Sequence, residues 1–243
     1  MVFGLNKNGS MKRFLKNKFP TIFYIKNFIN VLINQYVKPR KKKYWGYRAD
    51  NAFIRMPIVC SNPRNVFFED GSRLSPNALI LNYTGRFILG KNSAVSFGLT
   101  VITGNHKPVV GVPVTVSNPL HINDEERDII VEEDVWIGVN VTLIAGAHVG
   151  RGAIVGACAL VNKEIPPYAV VAGVPAKIIG VKFSKEQIIQ HEMKLYPEEK
   201  RLKESELENL FATVFYNKKS VGTDFLSDSD MKNVSNYKIP DYL

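Results

Sequence analysis

The chain has 243 residues, 45% hydrophobic and 22% charged, an ordinary globular composition that can fill one substantial core. Its two cysteines, Cys60 and Cys158, exclude a disulfide scaffold, and with no cleavable export signal the expected compartment is the reducing cytoplasm. The net charge of +10 is not spread evenly: residues 1–48 hold twelve Lys/Arg and no Asp/Glu, while the other 195 hold twenty basic and twenty-two acidic side chains. The basic character therefore belongs to an N-terminal arm, and a nucleic-acid-binding face on the body is not expected.

In chain order, the arm comes first, over 1–57. Within it Ile22, Ile25, Ile29, Leu32, Ile33 and Tyr36 follow helical spacing, with Lys26, Asn27, Asn30 and Asn34 on the other side. This predicts an amphipathic helix within 11–37, too interrupted to span a bilayer. The basic run KPRKKK (38–43) follows.

Residues 58–181 carry a period of six, which fits neither a helix nor a simple strand. From Val131 the blocks read VEEDVW, IGVNVT, LIAGAH, VGRGAI, VGACAL and VNKEIP. First positions are branched aliphatics (Val131, Ile137, Leu143, Val149, Val155, Val161). Fifth positions include Ala147, Ala153 and Ala159, and fourth positions begin Asp134, Asn140, Gly146 and Gly152. Short strands with inward first residues, joined by corners that need a left-handed backbone, predict a parallel β-solenoid with eighteen residues per triangular coil. LGKNSA, VSFGLT and VITGNH (89–106) form an earlier coil. The 24 residues 107–130 between the two runs must leave one corner as a protruding loop, and long loops on rigid scaffolds tend to carry function.

Residues 182–243 are expected to hold two helices over 183–211, then a flexible tail. Ser184 and Gln187 make a capping box for the first helix, and Pro197 suits the first turn of the second. An open solenoid end needs a cover, so the helix at 21–37 is expected to cap it through Ile22, Ile25, Ile29 and Leu32. The basic run would then face outward, toward an anionic inner-membrane surface.

VWIG (135–138), the hexads and the closing PPYAVVAGVPAKIIG (166–180) resemble the hexapeptide-repeat acyltransferases over roughly half the chain, nearest to the branch that O-acetylates galactosides, maltose and surface polysaccharides. The resemblance implies a left-handed parallel β-helix, a homotrimer, and acetyl-CoA bound between subunits. In that branch a histidine just before an extended loop is the catalytic base, and TGNH (103–106) puts His106 there. By motif, Trp136 borders the site, while Gly146, Ala157, Asn162, Lys163 and Lys177 meet the coenzyme. The family's acceptor-binding motif does not align with SPNALILNYTGRF (75–87).

Acetyl transfer to a hydroxyl needs a base, oxyanion stabilisation and alignment of the two substrates. Histidine suits the base, since imidazole titrates near neutrality. His121 is the reserve candidate, and His148, also at a sixth position, could share a groove with His106. Cys158 is read as a corner residue. No histidine pair has the four-residue separation of the zinc carbonic anhydrases, so no metal is expected. The expected function is acetyl-CoA-dependent O-acetylation of a carbohydrate in surface polysaccharide assembly. A small non-sugar alcohol acceptor, a carbonic anhydrase-like protein and a non-catalytic scaffold are the alternatives.

Overall fold

A computed structural model describes residues 20–121 and 124–237. Three parallel sheets form the walls of a triangular prism, each coil giving one short strand to each wall. The first coil is β1 (Tyr47–Arg48), β2 (Phe53–Ile54) and β3 (Ile58–Cys60); the second is β4 (Val66–Phe68), β5 (Arg73–Leu74) and β6 (Ala78–Leu81). The third is β7 (Phe87–Leu89), β8 (Ala94–Val95) and β9 (Thr100–Ile102). A side excursion holds β10 (Gly104–Asn105) and β11 (Glu125–Glu126). The stack resumes with β12 (Ile129–Val131), β13 (Trp136–Ile137) and β14 (Thr142–Ile144), then β15 (His148–Val149), β16 (Ile154–Val155) and β17 (Leu160–Val161). The last coil is β18 (Glu164–Ile165) and β19 (Ala169–Ala172), closed by β20 (Lys177–Val181) antiparallel to β19. The first wall is β1-β4-β7-β12-β15-β18, the second β2-β5-β8-β13-β16-β19-β20, and the third β3-β6-β9-β14-β17.

The six-residue pattern accounts for this packing. Every first-position residue from Val131 to Val161 is buried, as are the fifth-position residues from Val135 to Ile165. Asp134, Asn140, Gly146, Gly152 and Cys158 all have φ between +54° and +79°, the corner conformation that Asn, Asp and Gly tolerate best. Ile130 pairs with His148, one eighteen-residue coil later. Ile88 pairs with Ile130, 42 residues on, which is one such coil plus the 24-residue insertion. Earlier coils are longer: Tyr47 pairs with Phe67 and Phe67 with Ile88.

Several boundaries differ from the expectation. The stack starts at Tyr47, so residues 47–57 belong to the solenoid and not to the arm. Ile129–Val131 is already a wall strand, so the excursion runs from Gly104 to Glu126. Helix α1 (Pro20–Leu32) forms as expected, with the part before Pro20 outside the described residues, but it is not the cap: Ile22, Ile25, Ile29 and Leu32 are exposed. The prism end is closed instead by Pro39 and Trp45. The indole is buried edge-on against Phe68, centroids 5.0 Å apart, and donates to the Pro39 carbonyl at 2.8 Å.

At the other end, α3 (Lys185–Leu195) carries the expected Ser184–Gln187 capping box. Its Glu192 accepts from the Tyr168 hydroxyl at 2.6 Å and pairs with Arg151 at 3.0 Å. The second helix does not start at Pro197. That residue caps a single 3-10 turn, and α4 spans Glu204–Thr213. The supposed tail contains α5 (Asp228–Asn236), started by Ser227 accepting from the Asp230 amide.

The prism depends on filled interiors and left-handed corners. Leu143→Ala should cost about 2–5 kcal/mol of unfolding free energy. Asn140→Val, which forces a β-branched residue into φ +54°, should cost about 1–2 kcal/mol. Urea denaturation checks both, and equal stability of either variant with the wild type would contradict this packing.

Candidate active site

The excursion leaves the corner between the third and first walls. Its two ends pair as an antiparallel stem, Gly104 opposite Glu126 and Asn105 opposite Glu125. Gly104 is required there, because a Cβ would lie 2.5 Å from the Glu126 Cγ. The Glu126 carboxylate accepts from the backbone amides of Tyr83 (3.1 Å), Thr84 (2.8 Å) and Gly85 (2.5 Å) and from the Thr103 hydroxyl (2.9 Å). Partial burial works to raise its pKa, but these donors outweigh it and hold the carboxyl below its ordinary value. Beside it Asp128 holds Arg86 through a two-point fork at 2.8 and 2.6 Å, and Lys107 pairs with Glu125. The stem is thereby fixed to the turn 82–86 of the preceding coil.

At the tip of this stem His106 returns against Asp124, its Nδ1 2.9 and 3.1 Å from the two carboxylate oxygens. Helix α2 (Val114–Leu120) ends on His121, whose left-handed backbone (φ +50°) turns the ring back toward the same carboxylate, Nδ1 at 2.8 Å. The Tyr83 ring stacks on His121, centroids 4.7 Å apart and planes within 5°. An ionised carboxylate only accepts hydrogen bonds, so both Nδ1 atoms donate in this arrangement, and in a neutral ring this leaves the lone pair on Nε2. Nε2 of His106 has no hydrogen-bond partner among the described residues, and the side chain is 45% exposed. Desolvation works to raise the Asp124 pKa, but the His121 and His106 contacts outweigh it and lower it.

His106, His121 and Asp124 also offer three ligand atoms within 4.8 Å of one another, a donor set able to take a divalent cation.

The other expected residues distribute over the prism. Gly146, Asn162 and Lys163 follow β14 and β17 on the corner column from which the excursion leaves, as the pairing of Ile144 with Ile102 and of Leu143 with Val161 requires. Ala157 lies between β16 and β17, and Lys177 pairs opposite Ala172, both toward the far edge of the third wall. Lys163 and Lys177 are exposed and make no ion pair among the described residues. Trp136 is 49% exposed on the second wall, opposite the His106 corner, so one prism does not bring the two together. His148 sits on the first wall bonded to Glu132 at 2.7 Å, apart from the His106 cluster. Cys158 is an exposed corner residue, as expected. Tyr83, Asp124 and Glu126 were not anticipated; the only trace in the sequence is the acidic run before Arg127.

The bacterial transferase hexapeptide repeat (six repeats) matches residues 128–163, the regular coils after the excursion. Over these 36 residues the chain is similar to the hexapeptide-repeat transferases. Galactoside O-acetyltransferase of Lactococcus lactis is 27% identical over 164 residues, 66% of this chain and 72% of its own. A chloramphenicol acetyltransferase of Escherichia coli is 44% identical over 61 residues, 25% of this chain, and the match spans only 29% of that enzyme. The same fold occurs in the hexapeptide-repeat acetyltransferase VCA0836 of Vibrio cholerae, solved with acetyl coenzyme A. Its TM-score is 0.54 at 21% identity, over 64% of this chain and 84% of that one.

Glu126→Gln keeps the shape of the anchor but removes its charge. Because the folded carboxyl has a lowered pKa, its advantage over Gln is fully present above the unfolded pKa and is lost as pH falls through the folded one. Melting of both proteins across acidic pH should therefore show a gap that closes on acidification. A gap independent of pH would mean that the charge contributes nothing to the stem.

Proposed function

We propose that this chain is an acetyl-CoA-dependent O-acetyltransferase that modifies a sugar hydroxyl in surface polysaccharide assembly. The observation that carries the reading is the exposed His106, held through Nδ1 by Asp124 with no partner on Nε2 among the described residues. A carboxylate that fixes the tautomer and supports the developing imidazolium is the arrangement a general base needs. In the reaction His106 Nε2 takes the acceptor hydroxyl proton while the oxygen attacks the thioester carbonyl. Collapse of the tetrahedral species then breaks the C–S bond, and the proton returns to the departing thiolate. Tyr83, stacked on His121, gives an exposed aromatic surface for a sugar ring at the edge of this cluster.

The coenzyme expectation fits the residues present. Gly138 packs so tightly on the next coil that a Cβ would lie 2.7 Å from the Ala157 amide nitrogen, which keeps the backbone at Ala157 in place. Lys163 and Lys177 are unpaired cations suited to phosphates. Since Trp136 and His106 occupy opposite sides of one prism, a site that uses both takes them from adjacent copies in a homotrimer. The identity to chloramphenicol acetyltransferase favours a second reading, a small non-sugar alcohol as acceptor.

Steady-state assays on His106→Ala, His121→Ala and the wild type test the assignment. His106→Ala should lose roughly a hundredfold or more in kcat, His121→Ala less than about tenfold, and a chelator should leave wild-type turnover unchanged. Loss confined to His121→Ala would reverse the base assignment, and chelator-sensitive turnover would assign the three-residue set to a metal.

A further inference from the structure

Helix α1 exposes a run of large apolar side chains. Ile22, Tyr24, Ile25 and Phe28 are 53–64% exposed, and Ile29, Val31 and Leu32 are exposed beside them. On a helical projection these seven cover one half of the cylinder, and Lys26, Asn27 and Asn30 lie on the other together with the half-buried Phe23. No described helix is long and apolar enough to cross a membrane. A continuous apolar half with a small polar side is the pattern of a helix lying in the plane of a lipid–water interface.

A second feature lies at its C-terminal base. The Ile33–Val37 turn rests near β3, and beyond it Lys38, Lys41, Lys43 and Arg64 surround a cleft of about 510 Å³ walled by Tyr44 and Pro63. Lys42 is neutralised by Asp50, whereas Lys38, Lys41 and Lys43 make no ion pair among the described residues. Arg64 comes from the solenoid and reaches the Trp45 carbonyl at 3.4 Å, so the cleft is tied to the buried end plug. Three free ammonium groups and a guanidinium around one recess are suited to a phosphate.

We propose that α1 and this cleft form one docking surface for an anionic phospholipid bilayer, the apolar half of α1 sinking among the acyl chains while the cleft takes a lipid phosphate. The charge pattern selects lipid over a second copy of the chain. Residues 20–48 contain Lys26, Lys38, Arg40, Lys41, Lys42, Lys43 and Arg48 and no acid, so a second copy docked through this segment would set like charges side by side. An anionic surface answers both the charge and the apolar area. The proposal stands apart from the acetyl-transfer reading, since neither feature includes a site residue.

Co-sedimentation of the full chain tests it, using vesicles of phosphatidylcholine alone or mixed with phosphatidylglycerol. The expected result is binding to the mixed vesicles only, reduced about tenfold or more by Ile25→Glu/Phe28→Glu and by Lys41→Glu/Lys43→Glu. All four side chains are exposed, and circular dichroism checks that both variants keep the wild-type fold. Inorganic phosphate, added at constant ionic strength, should not release the protein. Three results would overturn the proposal: unchanged binding of the α1 variant, release by phosphate alone, or a wild type that ignores both vesicles while Ile25→Glu/Phe28→Glu lowers its mass in light scattering. The last would assign the helix to self-association.

Discussion

Everything in this protein follows from the need to fill a narrow triangular interior with one branched side chain per wall and turn the chain at each corner. The corners leave no choice of backbone, and Asp134, Asn140, Gly146, Gly152 and Cys158 adopt the same left-handed conformation down the stack. A wall built this way is flat and too short to carry a cavity. Chemistry therefore has to be added at a corner, by letting the chain leave and return in register. The pairing of Ile88 with Ile130 across the insertion shows that the stack does not register the detour.

The return is secured electrostatically. Glu126 collects three amides and a hydroxyl from two earlier segments, and Asp128 locks Arg86 beside it. A rigid stem lets a mobile type of element, a loop, present His106 and His121 to one carboxylate at hydrogen-bond distance. Asp124 is thus the pivot of the site: it orients His106, orders the end of α2 through His121, and through His121 draws Tyr83 into the same constellation.

The repeat was legible because the strands from Ile129 to Val161 step by eighteen residues with one rule per position, and only the closing step shortens to sixteen. Coils before it run to twenty or twenty-one residues, so the six-residue step slips there and the start of the solenoid at Tyr47 was hidden. His106 could be found because it stands at the point where the pattern breaks. Asp124 and Tyr83 could not, since their roles arise from a loop closing in space and leave no periodic trace. The end plug shows the same limit. Helical periodicity of Ile22–Leu32 is real, but periodicity says that a face is apolar, not what covers it, and Trp45 had already closed the prism.

The central claim is that this corner transfers an acetyl group from a thioester to an acceptor hydroxyl. Incubation with acetyl-CoA and a panel of glycosides and small alcohols, with free thiol followed continuously, tests it most directly. The account predicts thiol release that requires a glycoside and disappears in His106→Ala. Thiol release no greater with any acceptor than without one would contradict it.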